Sequence, residues 1–155
     1  MPVHWSRGHT VNAAFIWACI GMASECIFTS VVDAFDADDG AALTLRGYSY
    51  AWMLPLYAAL PFGLEYMHGR RLHWVVKCGC TTVLCMVAEL GYGMLLRYVV
   101  VCPWEASYRR STPFHLDGLV RLDWLPLWMV YSLYVSTVWR WQRGLFGAAT
   151  RDGAP

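Results

Sequence analysis

Residues 74–101 read WVVKCGCTTVLCMVAELGYGMLLRYVVV, and this stretch decides how the rest of the chain is understood. As a helix it would extend about 42 Å, more than the roughly 30 Å hydrocarbon core of a bilayer. Its charges are few and placed with a pattern. Lys77 sits near the start, where its ammonium can snorkel to the headgroups, and Arg97 sits near the far end. Glu89 lies in the middle. A carboxylate at membrane depth costs a few kcal/mol even on lenient scales, about 2.5–3.5. A chain that keeps one there must surround it.

Composition agrees with a membrane setting. Hydrophobic residues make up 57 % of the 155, aromatics 15 % and charged residues 15 %; a soluble domain carries about 25 % charged. Nine tryptophans and a net charge of only +1 give no basic tract for nucleic acid. The six cysteines form no Cys-x-x-Cys and have no histidine at ligand spacing, so neither a disulfide framework nor a metal site is expected. Five of them lie in apolar stretches as small, soft hydrophobes. The first apolar run is about twice a signal-peptide core and is expected to stay as an anchor.

Working outward, four spans are expected in a single all-α integral membrane domain covering 1–155: about 10–32, 48–64, 74–101 and 124–139. A short polar head with Arg7 precedes the first. Between the first two, residues 33–40 hold four aspartates and an Asp-Asp-Gly turn signal. The second span is short and contains Pro55 and Pro61, which would kink it. A polar turn around His68, Arg70 and Arg71 leads to the third. Residues 102–123 form a loop, and a polar, frayed tail covers 140–155. Seven basic residues fall on the side of the termini (Arg7, Arg70, Arg71, Lys77, Arg140, Arg143, Arg151) and five on the other, so both termini are expected in the cytoplasm. Trp5, Trp52, Trp74, Trp104, Trp124, Trp139 and Trp141 fall near span ends, as an interfacial belt requires.

Three glutamates share a pattern. Ala14, Ala18, Gly21 and Glu25 recur at four, three and four; Cys78, Thr82, Cys85, Glu89 and Gly93 at four, three, four and four; Ala51, Ala58 and Glu65 at seven. Each glutamate therefore lies on a small-residue helix face, the kind that packs against a neighbouring helix. Glu25 and Glu89 are each 15 residues into their spans, at roughly 22 Å by helical rise, while Glu65 is near the cytoplasmic boundary. Such carboxylates share a proton or need a cation. Arg97, two turns beyond Glu89, is the nearest candidate, and Arg121 is another. Two readings stand: a clasp that fixes helix packing, or a proton or cation site.

The segment Cys102-Pro103-Trp104-Glu105-Ala106-Ser107 reads as an interfacial plug, with Trp104 at headgroup level and Glu105 capping a turn; a ligand-gripping loop is the alternative. No Gly-x-Ser-x-Gly, phosphate loop or His-Glu-x-x-His occurs, so no catalytic residue and no cofactor is expected.

At these residues the chain resembles the transmembrane protein 229 family. The order Gly21…Glu25…Phe28-Thr29, Trp52…Tyr57…Glu65, Glu89…Gly93…Arg97, Cys102-Pro103-Trp104-Glu105-x-Ser107 and Gly118-Leu119…Leu122-Asp123…Trp128 carries the likeness over about 20–139. That family is in turn similar to a bacterial family of type IV ABC-transporter-like membrane proteins. The resemblance implies a four-helix membrane protein with no established activity. Ser136 stands where the family often has an acid, and Ala106 where a tyrosine is common.

The resulting expectation is a non-enzymatic, transporter-like or partner-binding component in a lipid bilayer, with a carboxylate core and with a homo-oligomer or another membrane protein as partner. The rivals are a proton- or cation-coupled carrier using Glu25 and Glu89, and a membrane enzyme acting on lipid from 102–123.

Overall fold

The computed structural model describes residues 7–36 and 45–152, with side chains from 10 to 35 and 45 to 144. The described chain is mostly helical. α1 spans Arg7–Asp36, a short 3-10 turn Ala51–Met53 leads into α2 (Leu54–His68), α3 is Trp74–Val99, α4 is Glu105–Ser111 and α5 is Leu125–Asp152. Two two-residue strands, β1 (His115–Leu116) and β2 (Val120–Arg121), pair antiparallel between α4 and α5. Two helical segments, Thr10–Phe35 and Trp74–Val99, are long and apolar enough to cross a membrane. α2 is only 15 residues, about 22 Å by helical rise.

Several boundaries differ from expectation. α1 runs on through Asp33 to Asp36, so half of the anticipated acidic loop is helical; the Asp-Asp-Gly turn and Trp5 lie outside the described residues. Pro55 falls in the first turn of α2, where its missing N–H is not needed, and Pro61 is the proline inside the helix. The expected polar tail is helix as far as Asp152.

The chain divides into two compact units, 1–62 and 63–155, with the boundary inside α2. In the first unit the segment 45–50 lies along α1. A Cβ on Gly47 would stand 2.0 Å from the Cys26 carbonyl oxygen, so only glycine allows this approach. Thr29 Oγ1 ties it down, accepting from the Tyr48 N–H at 2.8 Å and donating to the Tyr48 carbonyl at 2.8 Å. Gly21 lets the Tyr57 ring lie on α1; a Cβ there would come within 2.1 Å of Tyr57 Cγ.

The second unit is built on α3 and α5, with the hairpin folded onto the far end of α3. Thr82 Oγ1 and Ser132 Oγ meet at 2.8 Å, and Cys78 Sγ lies 3.4 Å from the Met129 carbonyl. Gly93 provides the seat for Leu119, whose Cδ2 would be 2.9 Å from an added Cβ. In α3, Thr81, Thr82 and Glu89 are 0, 2 and 3 % exposed, while Val83, Val87 and Leu95 are 58–59 % exposed. The helix thus hides its polar side chains and shows its apolar ones.

Candidate functional site

The carboxylates singled out in the sequence fall in two places. Glu25 belongs to the first unit; Glu65, Glu89 and Arg97 belong to the second. Each has partners of its own. On Glu25, one oxygen, Oε2, accepts from Ser49 Oγ and from Tyr57 Oη at 2.7 Å. Both hydroxyls are delivered by the elements that glycines 47 and 21 allow to approach α1.

Glu89 is nearly fully buried, and its Oε1 accepts from Tyr108 Oη at 3.2 Å. Tyr108 projects from α4 and meets Trp124 edge to face, with ring centroids 5.6 Å apart. The helix expected to be loop is therefore what reaches back onto the carboxylate.

Arg97 is engaged away from Glu89. Its guanidinium donates to Glu105 Oε2 at 2.9 Å, to the Asp117 carbonyl at 2.6 Å and to the Asp117 carboxylate. Arg109 closes the ring, reaching Glu105 at 3.1 Å and Asp117 Oδ1 at 2.6 Å. Two cations and two anions alternate, each with bidentate geometry available to the arginines. Arg97, and then Arg109, hold the Asp117 carboxyl down at about 2. The Glu105 carboxyl is lowered by the same pair, Arg97 first. Arg121 is likewise committed elsewhere, to Asp123 at 2.6 Å and to the face of Trp124 at 4.0 Å.

Trp104 corrects the plug reading. It is 3 % exposed, and its Nε1 donates to the Leu119 carbonyl at 3.0 Å. It is an interior strut, not a headgroup anchor, because the hairpin needs its carbonyl satisfied where it crosses α3. Trp139 is buried too, whereas Trp52, Trp74 and Trp141 are exposed. Cys102 is buried beside Trp104, Pro103 leads into α4, and the Ser107 carbonyl accepts from Ser111. The sequence reading quoted Gly118 only within the family likeness and missed Asp117 and the turn the two residues form. Both have positive φ, 52° and 73°, closed by Leu119 N–H to the Leu116 carbonyl at 2.8 Å. The signal was present: Asp-Gly between apolar residues is a hairpin turn.

At the opposite end of α3, Glu65 pairs with Arg143 at 3.4 Å and His68 stacks on Trp139 with centroids 4.5 Å apart. Lys77 Nζ donates to the His68 carbonyl at 3.2 Å. Burial first, then the charges of Lys77, Arg140 and Arg143, lower the His68 pKa. All six thiols are free, and among the described residues no group of three or more His, Cys, Asp or Glu is placed to hold a metal. No family model matches this chain, and no solved structure matches it.

Proposed function

We propose that this chain is a multipass membrane protein without catalytic chemistry, a small transporter-like or partner-binding component with its carboxylates inside. The observation that carries this reading is the inverted polarity of α3. Glu89, Thr81 and Thr82 are buried while Val83, Val87 and Leu95 face out. In water that arrangement would expose apolar surface and bury an acid for no gain; in lipid it is the favourable one. α1 supports it, with Val11, Phe15, Ile27 and Phe35 all more than 60 % exposed along a span-length helix. The finer reading is four spans, with α2 and the first half of α5 completing the set, both termini cytoplasmic, and membership of the transmembrane protein 229 family. So small a protein has little room for a substrate path, so a second copy or another membrane protein is its expected partner.

The enzymatic rival is disfavoured by the ion-pair ring. Glu105, the acid of the loop motif, is held charged between two guanidinium groups and is a poor general base at neutral pH. The carrier rival keeps support from Glu89, an acid at membrane depth held by a tyrosine hydroxyl. Topology mapping tests the main reading. Glycosylation acceptors placed in the 112–114 segment are expected to be modified, and acceptors at either terminus or at 69–72 are not. Release of the protein by alkaline carbonate, or modification on both sides of α3 alike, would overturn it.

A further inference from the structure

The second unit contains a file of buried polar groups that no clasp requires. On α3, Cys78, Thr82, Cys85 and Glu89 lie on one stripe; on α5, Ser132, Ser136, Trp139 and Arg143 lie on another. The two stripes meet at the Thr82–Ser132 pair, 2.8 Å apart, in which either hydroxyl can be the donor. Toward the α4 end, two turns along the α3 stripe and past buried Cys85, lie Glu89 and the Tyr108 hydroxyl that donates to it. Toward the other end it reaches Ser136, Trp139, His68 and Glu65. There, Ser136 Oγ, Trp139 Nε1, His68 Nε2 and Glu65 Oε2 are all buried, each without a protein hydrogen-bond partner among the described residues. Ser136 and Trp139 are 7 and 4 % exposed as whole residues.

Each such atom left bare in an apolar setting forfeits the hydrogen bond it would make in water, so four together demand another occupant. Water fits. Ser132 and Ser136 are four residues apart, about 6 Å by rise, a gap that one water spans with two ordinary hydrogen bonds. From Thr82 to Glu89, and from Ser132 to Trp139, is seven residues each, or about 10 Å by rise. Together the two arms cover most of a hydrocarbon core of about 30 Å.

We propose that the α3–α5 seam carries protons between Glu89 and the Glu65–His68 pair, through the Thr82 and Ser132 hydroxyls and waters held by Ser136 and Trp139. This rests on the membrane reading above and supplies its cargo. A proton arriving from hydronium converts the Glu65 carboxylate to the acid and leaves water. Each hydroxyl or water, including waters spanning the two turns from Thr82 to Glu89, then accepts a proton on oxygen and releases its own to the next, until Glu89 becomes the acid and returns its proton to water at the α4 end, regenerating hydronium and the carboxylate. No group is oxidised or consumed. The Trp139 N–H anchors water without exchanging its proton.

The test is proton flux in zwitterionic liposomes holding the full chain and a trapped pH-sensitive dye, driven by a potassium gradient with valinomycin. Vesicles with the wild-type chain are expected to acidify at least tenfold faster than empty ones. Ser132→Ala, Thr82→Val and Glu89→Gln should each remove most of that difference, Thr82→Ser should retain it, and Thr137→Ala, on the exposed face of α5, should leave it unchanged. If Ser132→Ala or Thr82→Val does not fold, the Thr82→Ser and Ser136→Ala rates decide: the first must match the wild type and the second must fall. Wild-type flux no greater than that of empty vesicles, or full flux in Ser136→Ala, overturns the path. Four mapped spans without flux would sink this inference alone, whereas failure to insert would remove the membrane reading with it.

Discussion

Replacing Trp104 with phenylalanine separates a structural strut from an interfacial anchor. The indole is 3 % exposed and Leu119, whose carbonyl it holds, is fully buried. Phenylalanine keeps most of the apolar ring but has no N–H. The loss leaves a buried carbonyl without that donor, about 1–3 kcal/mol, and the smaller ring leaves a void of about 1 kcal/mol more. The sum, about 2–4 kcal/mol, falls on the junction between α4, the hairpin and α3. Cys102, two residues away and 1 % exposed, reports on it directly. Its labelling by a water-soluble maleimide in mild detergent requires that junction to open. Each 1.4 kcal/mol is tenfold in an equilibrium, so the rate at Cys102, followed by mass spectrometry of its peptide, should rise between about thirty- and several-hundred-fold. A Cys102 rate within twofold of the wild type would refute the strut and restore the headgroup reading.

Three further outcomes are expected. Gly21→Ala places a methyl 2.1 Å from Tyr57 Cγ, so the ring must leave and Glu25 loses a hydroxyl; a stability loss of about 2–4 kcal/mol is expected in detergent melts, larger than for Tyr57→Phe alone. Gly118→Ala combines a φ of 73° with a Cβ 2.7 Å from Arg109 Cγ, and should cost about 1–3 kcal/mol and speed Cys102 labelling, while an alanine at Gly91, where nothing stands within 4 Å, should not. The ring of Arg97, Glu105, Arg109 and Asp117 should be pH-sensitive on the acid side. Its carboxyls have folded-state pKa values below their ordinary ones, so the stability they contribute is fully present above about pH 5 and is lost as pH falls toward 2; Asp117→Asn should flatten that dependence in a Cys102 labelling series.

The existence of α1 and α3, and the burial of Glu89, were legible because they depend on local hydropathy and on a period of 3.6 residues. Both are properties of consecutive side chains, and a long apolar run with an acid on its small-residue stripe has few other solutions. Ionic pairing was not legible in the same way. Arg97 lies on nearly the same stripe as Glu89, yet Glu105 and Asp117 hold its guanidinium, because α4 and the hairpin fold back over the helix end. The Asp-Gly turn that makes this fold-back possible is a two-residue signal inside a stretch otherwise read as loop. The side of Trp104, the reach of Tyr108 to Glu89 and the meeting of Thr82 with Ser132 join residues 15 to 50 positions apart. One-dimensional patterning chooses which face of a helix is hidden. Which neighbour it is hidden against depends on the packing of separate elements, where a few ångströms of clearance over Gly21, Gly93 and Gly118 decide the partner.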